Sequence, residues 1–311
     1  MPLADDPQVP DQPVAPAKEK FFYGGQAVIE GVMMRGPHHY AVAVRLPQTK
    51  EIVVDRGELR AGVYTQRFWK LPFVRGLALM AETLHLGMKS LIWSVNMNAR
   101  SKDVEIGKRE IAISLVTSAI FGLLLFIVLP LVATGFTVRR SNSFLFVFVE
   151  GLIRVGLILG YLSLIALLPD VRRVFQYHGA EHKTINTFEA EEPVDVAHVR
   201  RASLLHPRCG TGFLLVVLVV SVILFTGVAA FSPSWFWIIV SRIVGIPVIA
   251  GVSVEAIRWM ARHRYNPVVK VLLLPVLGTQ RLTTRQPSDD QIEVAIAAFE
   301  AARAGEEAAA A

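Results

Sequence analysis

The sequence predicts a mainly α, multi-pass membrane protein with four transmembrane helices, an amphipathic N-terminal helix, a small N-terminal β-hairpin and a re-entrant or interfacial C-terminal segment. Three observations predict it. Of the 311 residues 53% are hydrophobic and the mean hydropathy is +0.45, gathered into blocks rather than spread evenly. Two blocks, Ile111 to Phe136 and Thr211 to Phe231, contain no charged residue, and a bilayer core takes about 20 apolar helical residues. Basic residues then crowd the loops on one side of the blocks and thin out on the other.

In chain order, residues 1–20 are rich in Pro, Asp and Ala and read as a disordered tail without a signal peptide. Residues 21–71 form a glycine-rich segment and a β-hairpin. Gly24 to Pro37 is apolar and glycine-punctuated but lacks the Gly-Lys-Ser/Thr of a phosphate loop, so its glycines read as turns and close packing. Glu30 and Arg35 stand out there: they either complete a site, Glu30 supporting it and Arg35 binding an anionic substrate group, or bridge to each other. Tyr40 to Leu46 and Glu51 to Asp55 make the hairpin around Pro47 to Lys50.

Residues 72–99 read as an amphipathic helix starting at Pro72. Leu77, Met80, Leu84, Met88, Leu91, Ile92 and Val95 recur at helical spacing, while Arg75, Glu82, His85 and Lys89 prevent it from spanning. The first transmembrane hairpin is 111–168 and the second 211–257. Glu150 and Arg242 lie about seven residues into spans that start from the same face, hence at a similar depth of about 10 Å, and should meet as an intramembrane pair. Residues 258–304 hold the interfacial segment, Val268 to Leu277, broken from the fourth span by Asn266-Pro267, and a last helix opened by the capping box Ser288-Asp289-Asp290-Gln291.

Arg172, Arg173, Lys183, Arg200, Arg201 and Arg208 between the second and third spans, with basic residues before the first and after the fourth, place both termini and this loop on the cytoplasmic side of a cell inner membrane. Arg139 and Arg140 oppose that orientation and are outnumbered. The net charge of +6 fits anionic lipid at the inner surface of the lipid bilayer and argues against nucleic acid as a partner. A single cysteine excludes an internal disulfide. Nothing in the pattern fixes an oligomeric state.

The cytoplasmic loop 169–210 carries the chemistry. His178 and His182 fall one helical turn apart with Glu181 beside them, and His206 and Cys209 arrive where the third span begins. Two imidazoles, a further imidazole and a thiolate suit zinc or another divalent transition metal. With all four as ligands the site is closed and structural. With three, His178, His182 and either Cys209 or His206, an open position remains and Glu181 becomes a general base for hydrolysis. Arg35 or Arg208 would then bind an anionic group of a lipid-borne substrate. Three other readings compete: a zinc-stapled scaffold or regulator, a cysteine-dependent hydrolase or acyltransferase using Cys209 at a helix N-terminus, and a transporter component drawing on Glu150, Arg154 and Arg242.

Four motifs, Gly24 to Gly36, Tyr177 to Thr184, His206 to Thr211 and Thr283-Thr284-Arg285-Gln286-Pro287, resemble those of the bacterial YqhQ-like membrane proteins, a family of unknown function. The resemblance runs from about Phe21 to Phe299. Its members carry the label of a metal-dependent enzyme, which implies a role for His178, Glu181, His182, His206 and Cys209 but neither a substrate nor a reaction.

Overall fold

The computed structural model describes residues 23–59, 74–104, 107–139, 141–207, 209–231, 234–263 and 265–310. The tail expected at 1–20, the helix start at Pro72 and the candidate Arg208 lie outside the described residues.

Four strands, β1 (Gly24–Val28), β2 (Gly31–Arg35), β3 (His39–Arg45) and β4 (Ile52–Glu58), form an antiparallel meander in the order β1-β2-β3-β4. The hairpin read from the sequence is its second half, paired from His39↔Glu58 to Arg45↔Ile52. The glycine-punctuated stretch supplies the first half, paired from Gly24↔Arg35 to Val28↔Gly31, so Gly24, Gly25 and Gly31 lie in strands. Both faces of the sheet are covered. Val32, Met34, Ala41 and Ala43 pack with Tyr177, Ile292 and Phe299 on one side, while Met33, Tyr40, Val42 and Val44 pack with Leu86 on the other. Burial on both faces favours apolar residues at successive positions, which is the composition of β2 and β3.

Helix α1 (Val74–Arg100) lies between the sheet and the membrane helices. The face it turns to the β1–β2 turn is polar: Ser94 Oγ accepts the Ile29 N–H at 3.2 Å and Asn98 Nδ2 donates to the Ile29 carbonyl at 3.2 Å. Leu84 and Met88 of its apolar stripe are exposed, as expected of a helix at a membrane surface.

Four of the described helices are long and apolar enough to cross a membrane. Helix α2 runs from Lys108–Leu123 through a π turn at Leu124–Val128 to Leu129–Thr137, and α3 is Ser143–Ile165. After the polar helices α4 (Pro169–Glu189) and α5 (Val196–Arg201) come α6 (Gly210–Phe231) and α7 (Trp235–Arg262). Exposed Ile113, Val116, Ile120, Ile127, Ile223 and Ile246 line these helices, the surface a lipid solvent demands.

The apolar stretch after Asn266-Pro267 is helical, α8 (Pro267–Thr283), and packs on α6. Asn266 caps it by accepting the Val268 N–H at 2.9 Å. Helix α9 (Asp289–Ala310) closes the chain against the sheet. Of its capping box, the Gln291 side chain accepts the Ser288 N–H at 3.0 Å.

Candidate metal centre

Helix α4 begins with Pro169 at its first turn and Asp170 beside it, both favourable at a helix N-terminus. One face carries Tyr177, Ala180 and Ile185 into the core shared with α9. Another presents His178 and His182, whose ring centroids are 4.4 Å apart. Cys209 sits immediately before α6, where its sulfur accepts the Thr211 N–H at 3.4 Å and lies 3.2 Å from the Thr211 hydroxyl. One ligand atom from each of His178, His182 and Cys209 lies within 4.8 Å of the others.

Both imidazoles are oriented from behind. His178 Nδ1 is 2.8 Å from the Thr283 carbonyl and His182 Nδ1 is 2.6 Å from the Leu204 carbonyl. A carbonyl only accepts, so each Nδ1 carries a proton, and in the neutral ring it is Nε2 that keeps the lone pair. His178 Nε2 lies 3.1 Å from Cys209 Sγ. His182 Nε2 is buried with no hydrogen-bond partner of normal geometry among the described residues. A buried orphan lone pair is costly unless something takes it, and an imidazole tied through its other nitrogen to a backbone carbonyl is the usual arrangement of a metal ligand. The residues therefore fit a metal ion.

The local electrostatics shift His182 and Cys209 toward the forms that coordinate a metal. Burial depresses the His182 pKa and holds the ring neutral. Burial alone would raise the Cys209 thiol, but the nearby His182 ring and then Thr211 outweigh it and hold it below its usual value. Glu181 is pushed up to about 8 by burial, against His178 and with Cys209. It is not one of the three converging residues, yet it is buried beside them: a Cβ on Gly25 of β1 would lie 2.8 Å from its Cγ. The glycine lets the strand close over the carboxyl group.

His206 is buried, its ring 5.6 Å from that of His182 and its Nε2 3.7 Å from Glu189 Oε1. It is near the three converging residues but outside their group. Its backbone is clamped by Gln280 of α8, which accepts the His206 N–H at 2.9 Å and donates to the His206 carbonyl at 2.7 Å. The segment before it is stapled to α4. Lys183 Nζ donates to the carbonyls of Arg200 and Ala202 at 2.9 and 2.6 Å, and Asn186 to those of Ser203 and Leu205 at 2.8 and 3.1 Å. Sequence reasoning gives Lys183 no more than its charge and assigns no role to Asn186 or Gln280. For Gln280 the sequence offers no signal, since it sits among Thr279, Arg281 and Thr283 beyond the apolar run of its helix.

Glu30 and Arg35 take separate partners instead of bridging to each other. Glu30 adopts φ 55 at the β1–β2 turn, and its carboxylate is gripped by Arg173, at 2.5 Å through Nη2, and by the Tyr177 hydroxyl at 3.3 Å. Arg35 pairs with Glu82 of α1 at 3.1 Å. His85 is exposed and lines a groove of about 600 Å³ between α1 and the sheet, apart from the His/Cys group. Deep in the spans, Glu150 forms ion pairs with both Arg242 and Arg154.

Four apolar helices and a largely buried His/Cys group beside them define a multi-pass membrane protein with a candidate metal centre. Residues 71–304 match the family described as "Protein of unknown function (DUF1385)", and the chain belongs to that family. It is 35% identical over 293 residues to the "Uncharacterized protein YqhQ" of Bacillus subtilis (strain 168), covering 89% of this chain and 91% of that protein. No solved structure matches it.

Proposed function

We propose that this protein is a membrane-embedded, metal-dependent hydrolase whose centre, formed by His178, His182 and Cys209, holds zinc or another divalent transition metal at the cytoplasmic face. The observation that carries this reading is the buried His182 Nε2, without a hydrogen-bond partner of normal geometry among the described residues, beside two further candidate ligands. Two nitrogens and one sulfur suit zinc, and three protein ligands leave a coordination position open. The bound ion would act as a Lewis acid and lower the pKa of a water molecule.

The residues of the chain do the rest. Thr283 and Leu204 fix the rings, and Lys183 and Asn186 hold the segment that carries the Leu204 carbonyl. Glu181, raised to about 8 without a metal, is favoured in its ionised form beside a dication and takes a proton at its carboxylate. With Arg35 paired to Glu82, Arg208, adjacent to Cys209 in sequence, is the better candidate for an anionic group of a lipid-borne substrate.

A second reading, a zinc-stapled scaffold, is favoured by one observation, the buried His206 ring beside His182. A turn of that ring would supply a fourth ligand and close the site. Metal analysis of the purified protein beside His178→Ala and His182→Ala tests binding: about one ion per chain in the first and little in the variants supports the centre. Cobalt substitution then separates the readings, since an added small anion perturbs the spectrum only of an open site.

A further inference from the structure

We propose that Arg154 and Arg242 form an intramembrane binding site for the phosphate of an anionic phospholipid. The distribution of charge in the spans singles out this place. Ile111 to Phe136 and Thr211 to Phe231 hold no charged residue, Phe144 to Leu168 holds only Glu150 and Arg154, and Trp235 to Ala250 holds only Arg242. The nearest acid along α7, Glu255, is about 20 Å from Arg242 at the helical rise. Two guanidinium groups thus share one carboxylate, leaving a net positive charge where hydrocarbon offers no compensation.

The three side chains are built into place rather than adrift. Glu150 is 2% exposed and both its oxygens are taken, Oε2 by Arg242 and Oε1 by Arg154 with a second, longer bond from Arg242 at 3.4 Å. Arg154 Nε also donates to the Phe126 carbonyl at 3.1 Å. Pro130, four residues beyond Phe126, has no N–H to return to that carbonyl, and the π turn of α2 lies at the same point. Arg242 lies over the Phe225 ring of α6, 4.3 Å from its centroid.

Donors are left over. A guanidinium has five N–H groups, and the contacts with Glu150 and the Phe126 carbonyl use only some of them, while the Arg154 and Arg242 side chains remain 16% and 27% exposed. The carboxylate is closed off, while part of each arginine side chain is left accessible. A group with several acceptor oxygens and net negative charge satisfies both the charge and the donors, which describes a phosphodiester. Glu150 and Arg242 lie about 10 Å along their helices from the Ser143 and Trp235 ends, and Arg154 about 16 Å from Ser143 with its guanidinium reaching back to Glu150, a depth that arginine side chains reaching outward and a locally thinned bilayer can span.

The test compares melting of the purified protein in detergent micelles doped with phosphatidylglycerol, with phosphatidylcholine, or with inorganic phosphate. Phosphatidylglycerol should raise the melting temperature by several degrees more than either of the others. Arg154→Gln, which neutralises the net charge, should abolish that preference, and Glu150→Gln, which increases the charge, should retain or enlarge it even though the protein starts less stable. Arg154→Lys keeps the charge and should keep part of the preference. Equal shifts with the two lipids, a full shift with inorganic phosphate alone, or an undiminished preference in Arg154→Gln would each overturn the proposal.

Discussion

His178 is held 2.8 Å from the Thr283 carbonyl through Nδ1, and its other nitrogen lies 3.1 Å from Cys209 Sγ. One ring therefore joins the C-terminal end of α8 to the start of α6. The orientation of a candidate ligand on α4 depends on a backbone atom 105 residues further along the chain.

That dependence can be tested without touching a ligand. A Cβ on Gly179 would collide with the Arg285 carbonyl oxygen. Gly179→Ala must push residues 283–285 off α4 and draw the Thr283 carbonyl away from His178. Loss of such an outer partner typically costs about 10- to 100-fold in metal affinity. Competition with a chelating dye measures it, and an unchanged affinity would show that the carbonyl does not orient the ring.

Stability should depend on pH through Glu181. A buried carboxyl raised to about 8 holds its proton in the folded state over a range where the unfolded chain has lost it. The folded state then binds more protons, so this contribution to stability is complete below the unfolded carboxylate value and is lost as pH rises toward about 8. In metal-free protein, melting temperature should fall more steeply across that window than it does in Glu181→Gln. Parallel curves for the two proteins would place Glu181 in a solvated environment instead.

Among the intramembrane charges, the carboxylate should matter most. Glu150→Ala leaves two arginines without their shared partner, whereas Arg242→Ala leaves Glu150 with Arg154. Glu150→Ala should be the more destabilising, by about 3 kcal/mol or more, and the double variant should cost less than the sum of the singles. Denaturation in detergent supplies the cycle. Additive effects would mean that the two side chains do not interact.

The proposed orientation puts both termini in the cytoplasm. A reporter fused after Ala311 and one inserted within 189–195 should then both report cytoplasm. A periplasmic signal from the insertion would invert the topology and remove the reducing environment that keeps Cys209 a free thiol.

Two of the membrane helices are legible in the sequence because a charge-free run of that length has few other uses, the other two because their few charges interrupt long apolar runs, and the His178/His182 pair because helical spacing is local. The first half of the sheet is hidden for a physical reason. With both faces buried, β2 shows no polar alternation, and the β1–β2 turn is Ile29-Glu30 rather than the Asn-Gly that announces a hairpin. The partners of Glu30 and Arg35 are equally out of reach, because Arg173 and Glu82 meet them only through tertiary packing. Chemistry groups Cys209 with the histidines, but its approach depends on α8, whose Gln280 clamps the neighbouring His206 backbone.

Whether His178, His182 and Cys209 hold one metal ion is read directly by X-ray absorption at the zinc edge of the purified, zinc-loaded protein. A centre of that composition gives one sulfur at about 2.3 Å and nitrogen or oxygen neighbours at about 2.0–2.1 Å, with the sulfur signal lost in Cys209→Ser. A shell without sulfur, or one that Cys209→Ser leaves unchanged, would contradict it.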